Sequence, residues 1–364
     1  MTLILSGTDN SATVPAVTGT DTDTGIYYPA ANQVAIATAG TQAMLVDASQ
    51  NVTFAGYAKL PNTFGFKNRI INGAMVIDQR NAGAAQTITS GSTPYTVDRW
   101  LAFGNNASIT SQQVAGTGQF QKALQFTGAA SVTQALVRQR IESLNTSDLS
   151  GATVTIQAYV WGSASGTVNM TLYYPTATDN YASQTTIVDT AFSITTTPTL
   201  YTFVVTSLPS GVLNGLEVRF TYGAIGAGVT RTITGVQLEK GSTATSFDVR
   251  SYGTELALCE RYYWKSTVGT YNAIGAGSVT GSSQVSIYIK YPTTMRATPT
   301  VSYSGTVYVF GISNQIVTAI SSSYAGNFSG RFDFTPTSTM TVGGGAILFT
   351  EQTGTNFVQA SAEL

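Results

Sequence analysis

The sequence contains no histidine and a single cysteine, Cys259. Without imidazole, the Ser-His-Asp and Cys-His nucleophile systems cannot be assembled. Zinc centres with imidazole ligands are excluded as well, and one thiol neither completes a thiolate site nor closes an intrachain disulfide. Cys259 is therefore expected to act as a small buried apolar side chain. The catalytic chemistry left open is that of carboxylates. Charge is also scarce. Asp, Glu, Lys and Arg make up 10% of the 364 residues, with 17 basic against 18 acidic, for a net charge of −1. A nucleic-acid surface needs clustered cations to displace counterions. The nearest approach to one is Arg138 with Arg140, and both are expected to be structural. No stretch approaches the roughly 20 apolar residues that cross a bilayer. The start, Met1-Thr2-Leu3-Ile4-Leu5-Ser6-Gly7, lacks the basic and apolar regions of a signal peptide. Synthesis in a cytoplasm is expected, with no nucleic-acid partner and no membrane insertion.

What is present is strand and turn chemistry. Apolar residues reach 43%, which excludes a disordered chain. Thr, Ser, Gly, Ala, Val and Tyr dominate; β-branched and aromatic side chains suit a pleated surface, and the small polar ones suit turns. The length fits two or three β domains. Residues 1–63 hold few large side chains, chiefly Tyr27, Tyr28, Met44, Phe54 and Tyr57, around short strands near Gln33–Ala37 and Ala43–Val46. So thin a core predicts association with other copies, and a trimer is expected. Leu60-Pro61-Asn62-Thr63 reads as a boundary. From 64 to 250, Val154, Ile156, Ala158 and Val160 alternate with polar residues. So do Val168, Met170 and Leu172, then Tyr201, Phe203 and Val205, then Leu216, Val218, Phe220 and Tyr222. This pattern predicts an antiparallel jelly-roll sandwich. A helix is expected over 252–264, with Leu256, Cys259 and Tyr263 on one face and Ser251 or Thr254 as cap. The rest, to 364, alternates again at Val285, Ile287 and Ile289 and at Phe332 and Phe334, and is expected to form a β-sandwich tip.

Several motifs resemble a module of bacteriophage tail fibres. They are Phe66-Lys67-Asn68-Arg69-Ile70-Ile71-Asn72-Gly73-Ala74-Met75-Val76-Ile77-Asp78-Gln79-Arg80, then Tyr95-Thr96-Val97-Asp98-Arg99-Trp100. Next come Ile233-Thr234-Gly235-Val236-Gln237-Leu238-Glu239-Lys240-Gly241, Thr245-Ser246-Phe247-Asp248-Val249-Arg250 and Glu255-Leu256-Ala257-Leu258-Cys259-Glu260-Arg261-Tyr262-Tyr263. The segment Asp21–Pro29 with Gln33–Ile36 is similar to the start of phage appendage proteins. The resemblance implies a carbohydrate-binding-like jelly roll in a trimeric virion appendage, with motifs that are mostly architectural.

Asp21-x-Asp23-x-Gly25 has the carboxylate spacing of a calcium loop but lacks the downstream Glu, so a solvated turn and no metal or cofactor are expected. Asp78, Arg80, Asp98 and Arg99 are expected to form ion pairs among themselves. Glycoside hydrolysis needs two carboxylates, and Glu142, Asp148, Glu217 and Asp248 are available, but no motif groups them; no catalytic residue is assigned and no enzyme is expected. The candidate glycan contacts are Tyr271, Asn272, Tyr324, Asn327 and Phe328, aromatic and amide groups in turn-rich stretches of the tip. The expected function is host-glycan recognition by a tail fibre, docked on another virion protein through its N-terminus. The alternatives are a purely structural head fibre or decoration protein and, third, a polysaccharide depolymerase.

Overall fold

A computed structural model describes residues 4–5, 11–55, 66–266, 272–311, 313–350 and 356–364. The chain divides into two compact units, Met1–Pro61 and Asn62–Leu364. The expected break at Leu60-Pro61-Asn62-Thr63 lies outside the described residues.

The first unit is an antiparallel sheet of six strands in sequence order: β1 (Ile4–Leu5), β2 (Val17–Thr18), β3 (Gly25–Tyr27), β4 (Val34–Thr38), β5 (Thr41–Val46) and β6 (Val52–Phe54). One face buries Tyr27, Ala35 and Ala37, with Ala12 and Leu45 packed against them. On the other, Val17, Ile26, Ile36, Met44 and Phe54 are register partners across five strands. In this row Ile26, Ile36 and Phe54 are exposed.

The second unit opens with a jelly-roll sandwich. Its strands are β7 (Gln86–Ile88), β8 (Leu101–Asn105), β9 (Ile109–Ala115), β10 (Lys122–Thr127), β11 (Gln134–Ile141), β12 (Val154–Gly162), β13 (Gly166–Ala177), β14 (Asn180–Ile194), β15 (Thr199–Val205), β16 (Leu216–Tyr222) and β17 (Thr230–Lys240). A six-stranded sheet, β15-β12-β17-β10-β9-β7, packs on a five-stranded one, β14-β13-β16-β11-β8. Period-two alternation sends Val154, Ile156, Ala158 and Val160 from one sheet and Val218, Phe220 and Tyr222 from the other into a shared core. Burying each Val, Ile or Phe side chain among them contributes about 1.5–3 kcal/mol.

The motif stretch Phe66–Arg80 forms neither helix nor strand, and its side chains order it. Asn68 Oδ1 accepts from the main-chain N–H of Ile70 (2.9 Å) and Leu238 (3.0 Å), and its Nδ2 donates to the Val236 carbonyl (3.1 Å). Asn72 adopts φ 56°, a left-handed conformation that Asn tolerates. Its amide spans Ile77 N–H (2.9 Å), Ile77 C=O (2.8 Å) and Asp98 C=O (2.9 Å), and Trp100 Nε1 donates to the Asn72 carbonyl (3.0 Å). A Cβ on Gly73 would lie 2.1 Å from the Val236 carbonyl oxygen, so only glycine fits there. Glu239 accepts from Thr245 N–H (2.8 Å) and Oγ1 (2.7 Å). Arg250 donates to the Ile70 carbonyl (3.2 Å) and to Glu255 (3.3 Å), whose carboxylate accepts from Asn72 N–H. The separate motifs thus satisfy one another's buried polar groups.

Helix α1 spans Tyr252–Glu260, shorter than the expected 252–264. Tyr263 belongs instead to β18 (Tyr263–Lys265), which pairs with β26 (Phe357–Ser361). That pairing claims the backbone a longer helix would need. Ser251 occupies the cap position, but its hydroxyl bonds Thr254 Oγ1 (2.8 Å) and makes no side-chain cap. Cys259 and Tyr262 are buried with Ile71 and Ile77, and Leu256 packs beside them.

The tip closes into a barrel where a sandwich was expected. Strands β19 (Asn272–Gly281), β20 (Gln284–Lys290), β22 (Val307–Phe310), β23 (Asn314–Ala325), β24 (Ser329–Pro336) and β25 (Gly345–Thr350) run in the order β19-β20-β24-β23-β22-β25. Because β25 pairs with both β22 and β19, no edge is left open. Strand β21 (Thr300–Ser304) joins β26 and β18 in a separate small sheet. The final residues return to the sandwich. Glu363 pairs with Arg80 (2.8 Å) and with Arg99, and the Leu364 carbonyl accepts from Tyr95 Oη (3.0 Å) and Arg140 Nη1 (2.5 Å). Of the ion pairs expected within the motifs, Arg80–Asp98 forms and the others do not. Arg80 lies 4.0 Å from Asp98, while Arg99 turns to Glu363 and Asp78 holds a turn through the N–H groups of Asn81 and Gly83.

Candidate functional site

The outer side of the barrel carries exposed aromatic residues in register. Alternation points Ile287, Ile289, Phe332 and Phe334 into the barrel core, so Tyr288, Lys290 and Arg331 face out. Tyr288 on β20 is opposite Arg331 on β24, which is opposite Tyr324 on β23. Tyr288 is 63% and Tyr324 71% exposed. The Arg331 guanidinium lies over the Tyr324 ring, 4.6 Å from its centroid. Its Nε is 3.7 Å from Asp333, which is held beneath by Ser286 Oγ (2.6 Å) and Gln284 Nε2 (2.8 Å). Phe328, half exposed, sits on the turn joining β23 to β24, with Lys290 Nζ 5.1 Å from its ring centre. The turn is tied down: Gly326 N–H donates to the Ser329 carbonyl (3.0 Å), Met295 N–H to Asn327 C=O (2.8 Å) and Tyr291 N–H to Phe328 C=O (3.1 Å).

Three of the five candidate contacts, Tyr324, Asn327 and Phe328, therefore lie near one another. Asn272 does not join them. It opens β19 opposite Thr350, four residues, roughly 13 Å, along the strand from Ala276, the β19 partner of Tyr288. Asn272 adjoins Ala273, one wall of an apolar hollow of about 310 Å³ shared with Phe310, Asn314, Ile347 and Phe349. Tyr271 lies outside the described residues. Tyr288, Lys290 and Arg331 were missed from sequence. Their signal was the outward half of the alternation already read at Ile287 and Ile289. A cleft of about 410 Å³ at one end of the barrel, lined by Gly311, Ser313, Thr339 and Gly344 among others, offers neither an aromatic ring nor a charge.

The rings present flat apolar surface, and the guanidinium and ammonium supply hydrogen-bond donors at their edges. This arrangement can hold a ligand with apolar faces and a hydroxyl rim. The carboxylates considered for hydrolysis lie elsewhere, each beside a cation. Glu142 is 2.8 Å from Arg261, Asp148 2.9 Å from Arg69, Glu217 3.2 Å from Arg140 and Asp248 3.9 Å from Arg250. At the N-terminal turn, Asp21 Oδ1 accepts from Asp23 N–H (3.4 Å). The hydrogen bond between their side chains lowers the Asp21 pKa and raises that of Asp23. Among the described residues no group of three or more metal-ligating side chains converges.

No protein-family model matches the chain, and no curated protein matches it. Among solved structures it is similar to the family 11 carbohydrate-binding module from Clostridium thermocellum, at 12% identity over 45% of this chain and 100% of that one, with a TM-score of 0.27. It is also similar to the xylan-binding domain of Xyn10C from Paenibacillus barcinonensis, at 16% identity over 45% of this chain and 99% of that one, TM-score 0.27. A third likeness is to the enzymatically active domain of tailspike protein 4 of bacteriophage CBA120, at 13% identity over 48% of this chain and 22% of that one, TM-score 0.31.

Proposed function

We propose that this chain is a bacteriophage tail fibre protein, a non-catalytic virion appendage that attaches to host surface glycans through its barrel tip. The observation that carries the reading is the outward row Tyr288–Arg331–Tyr324, with Phe328 beside it. Sugar rings pack their C–H faces on such aromatic surfaces and give their hydroxyls to flanking donors, and exposed rings on a rigid strand lose little entropy on binding. The motifs that resemble tail fibres support the virion assignment, and their interlocking leaves the tip free to vary.

Trimerisation belongs to the same proposal. The row Val17–Ile26–Ile36–Met44–Phe54 forms an apolar face on a unit whose buried cluster among the described residues is only Tyr27, Ala35 and Ala37. Packing three such faces together would cover them, and the same N-terminal unit would dock on another virion protein.

The test uses the full chain, fluorescently labelled, with host cells before and after periodate, which cleaves vicinal diols of surface sugars. Binding lost after periodate supports the proposal. Undiminished binding places the receptor outside the glycans. New reducing ends released from host polysaccharide would make the protein a depolymerase.

A further inference from the structure

On the outer side of the five-stranded sheet, two arginines face each other. Arg138 on β11 is the register partner of Arg219 on β16, and Arg140 lies two residues on, pointing the same way. Like charges directly opposite destabilise a ladder, so this arrangement needs anions. One buried carboxylate, Glu217, answers it. Glu217 accepts from Arg140 Nε (3.2 Å) and Arg219 Nε (3.0 Å). Arg140 is further held by the Leu364 carbonyl, and Arg219 by Gln184 Oε1 (3.2 Å) and by the Tyr173 ring (4.3 Å).

Arg138 is different. Its nearest anion is Glu217 at 3.8 Å, and among the described residues nothing accepts a hydrogen bond from its guanidinium. Its Nε is buried without a partner, and so is Nε2 of Gln184, beside Arg219. Another carboxylate on this face, Asp189, stands two strands from Arg219, across Thr171. It already accepts from Asn169 Nδ2 (2.9 Å) and Thr171 Oγ1 (3.1 Å). Arg140 and Arg219 are thus taken up by Glu217, with the Leu364 main-chain oxygen also on Arg140, and Arg138 is left with unused donors that reach the surface.

We infer that this face is a second binding site, for an oxyanion held by Arg138 beside Arg219, and that the anion is the carboxylate of an acidic sugar. A guanidinium presents a planar fork that matches a carboxylate through two parallel hydrogen bonds. Burial on a strand holds that fork in place before the ligand arrives. The site lies on the sandwich, apart from the tip, and does not rest on the tip's role.

The experiment is calorimetric titration and thermal melting of the full chain with D-glucuronate, D-glucose and potassium sulfate, at constant ionic strength set with chloride. Glucuronate is expected to bind and raise Tm, and glucose to do neither. Arg138→Gln is expected to weaken glucuronate binding by at least about tenfold, the scale of one charge-assisted pair. Its Tm without ligand should be equal to or above wild type, because a like-charge contact is relieved. Arg138→Lys, which keeps the charge and loses the fork, should fall between. Sulfate binding without glucuronate binding would overturn the sugar assignment. Glucuronate binding unchanged in Arg138→Gln, or absent in the wild type, would overturn the site.

Discussion

Asp98 gives the fold a built-in dependence on pH. Its side chain is fully buried among the motif residues, with Gln79 donating from N–H (3.2 Å) and Nε2 (2.6 Å) and Arg80 4.0 Å away. Burial raises its pKa from 3.8 to about 7, against the opposing pull of Arg80 and Gln79. The folded state therefore holds this proton more tightly than the unfolded chain does. Below about pH 4 both states are protonated and the group contributes nothing to the slope. As pH rises from 4 to 7 the unfolded chain ionises first, and stability falls; above about 7 the loss is complete. At about 1.4 kcal/mol for each tenfold in proton affinity, the loss is on the order of 4 kcal/mol. Asp98→Asn cannot ionise, so its urea midpoint, followed by the fluorescence of neighbouring buried Trp100, should change much less between pH 4 and 7. A smaller slope of the same sign should remain from Glu260, whose pKa is also raised by burial. Equal slopes in Asp98→Asn and wild type would refute the assignment.

Gly73→Ala drives a methyl into the Val236 carbonyl, 2.1 Å away, and should cost at least about 2 kcal/mol in denaturant unfolding, in the range of overpacked cores; an unchanged midpoint would mean the motif turn is plastic. Chelator treatment should leave Tm unchanged, because Asp21 and Asp23 engage each other; a large drop reversed by calcium would contradict that. Light scattering should give three times the 38.1 kDa protomer mass, and Ile36→Asp, on the exposed N-terminal row, should shift the chain toward monomer. A wild-type monomer would contradict the trimer.

The sandwich strands were legible because both sheets bury one face, which imposes the alternation seen at Val154–Val160 and Leu216–Tyr222. Strand β14 was not read as one fifteen-residue element. It is an edge strand rich in Thr, Ser and Ala with much of its length exposed, so no apolar period marks it. Barrel closure was hidden for a related reason. Strand β19 is built of Asn, Gly, Ala and Ser with only Val279 buried, and its pairing with β25 joins residues some 70 apart. The helix was overextended because Tyr263 fits a helical face as well as a strand, and only the return of Ser361 decides between them. At the candidate site, turn composition singled out Tyr324, Asn327 and Phe328 but not Tyr288 or Arg331. Those two sit in mid-strand and join the group only through the β20-β24-β23 register. The pair Arg138 and Arg140 was visible in the sequence, but the third guanidinium, Arg219, and the carboxylate Glu217 join it only through the β11-β16 register, some 80 residues along the chain.

The most direct test of the tip as the glycan-binding surface is the Tyr288→Ala/Tyr324→Ala double variant of the full chain, compared with wild type on an array of bacterial surface polysaccharides. Both side chains are exposed on a closed barrel, so melting and oligomeric mass should match wild type. Each ring removed should weaken binding at one site by about tenfold, the scale of a stacked aromatic contact, and three linked sites would multiply the loss. Loss of binding with fold and mass intact is the predicted result. Equal binding by the folded double variant would contradict the account and move recognition away from this face.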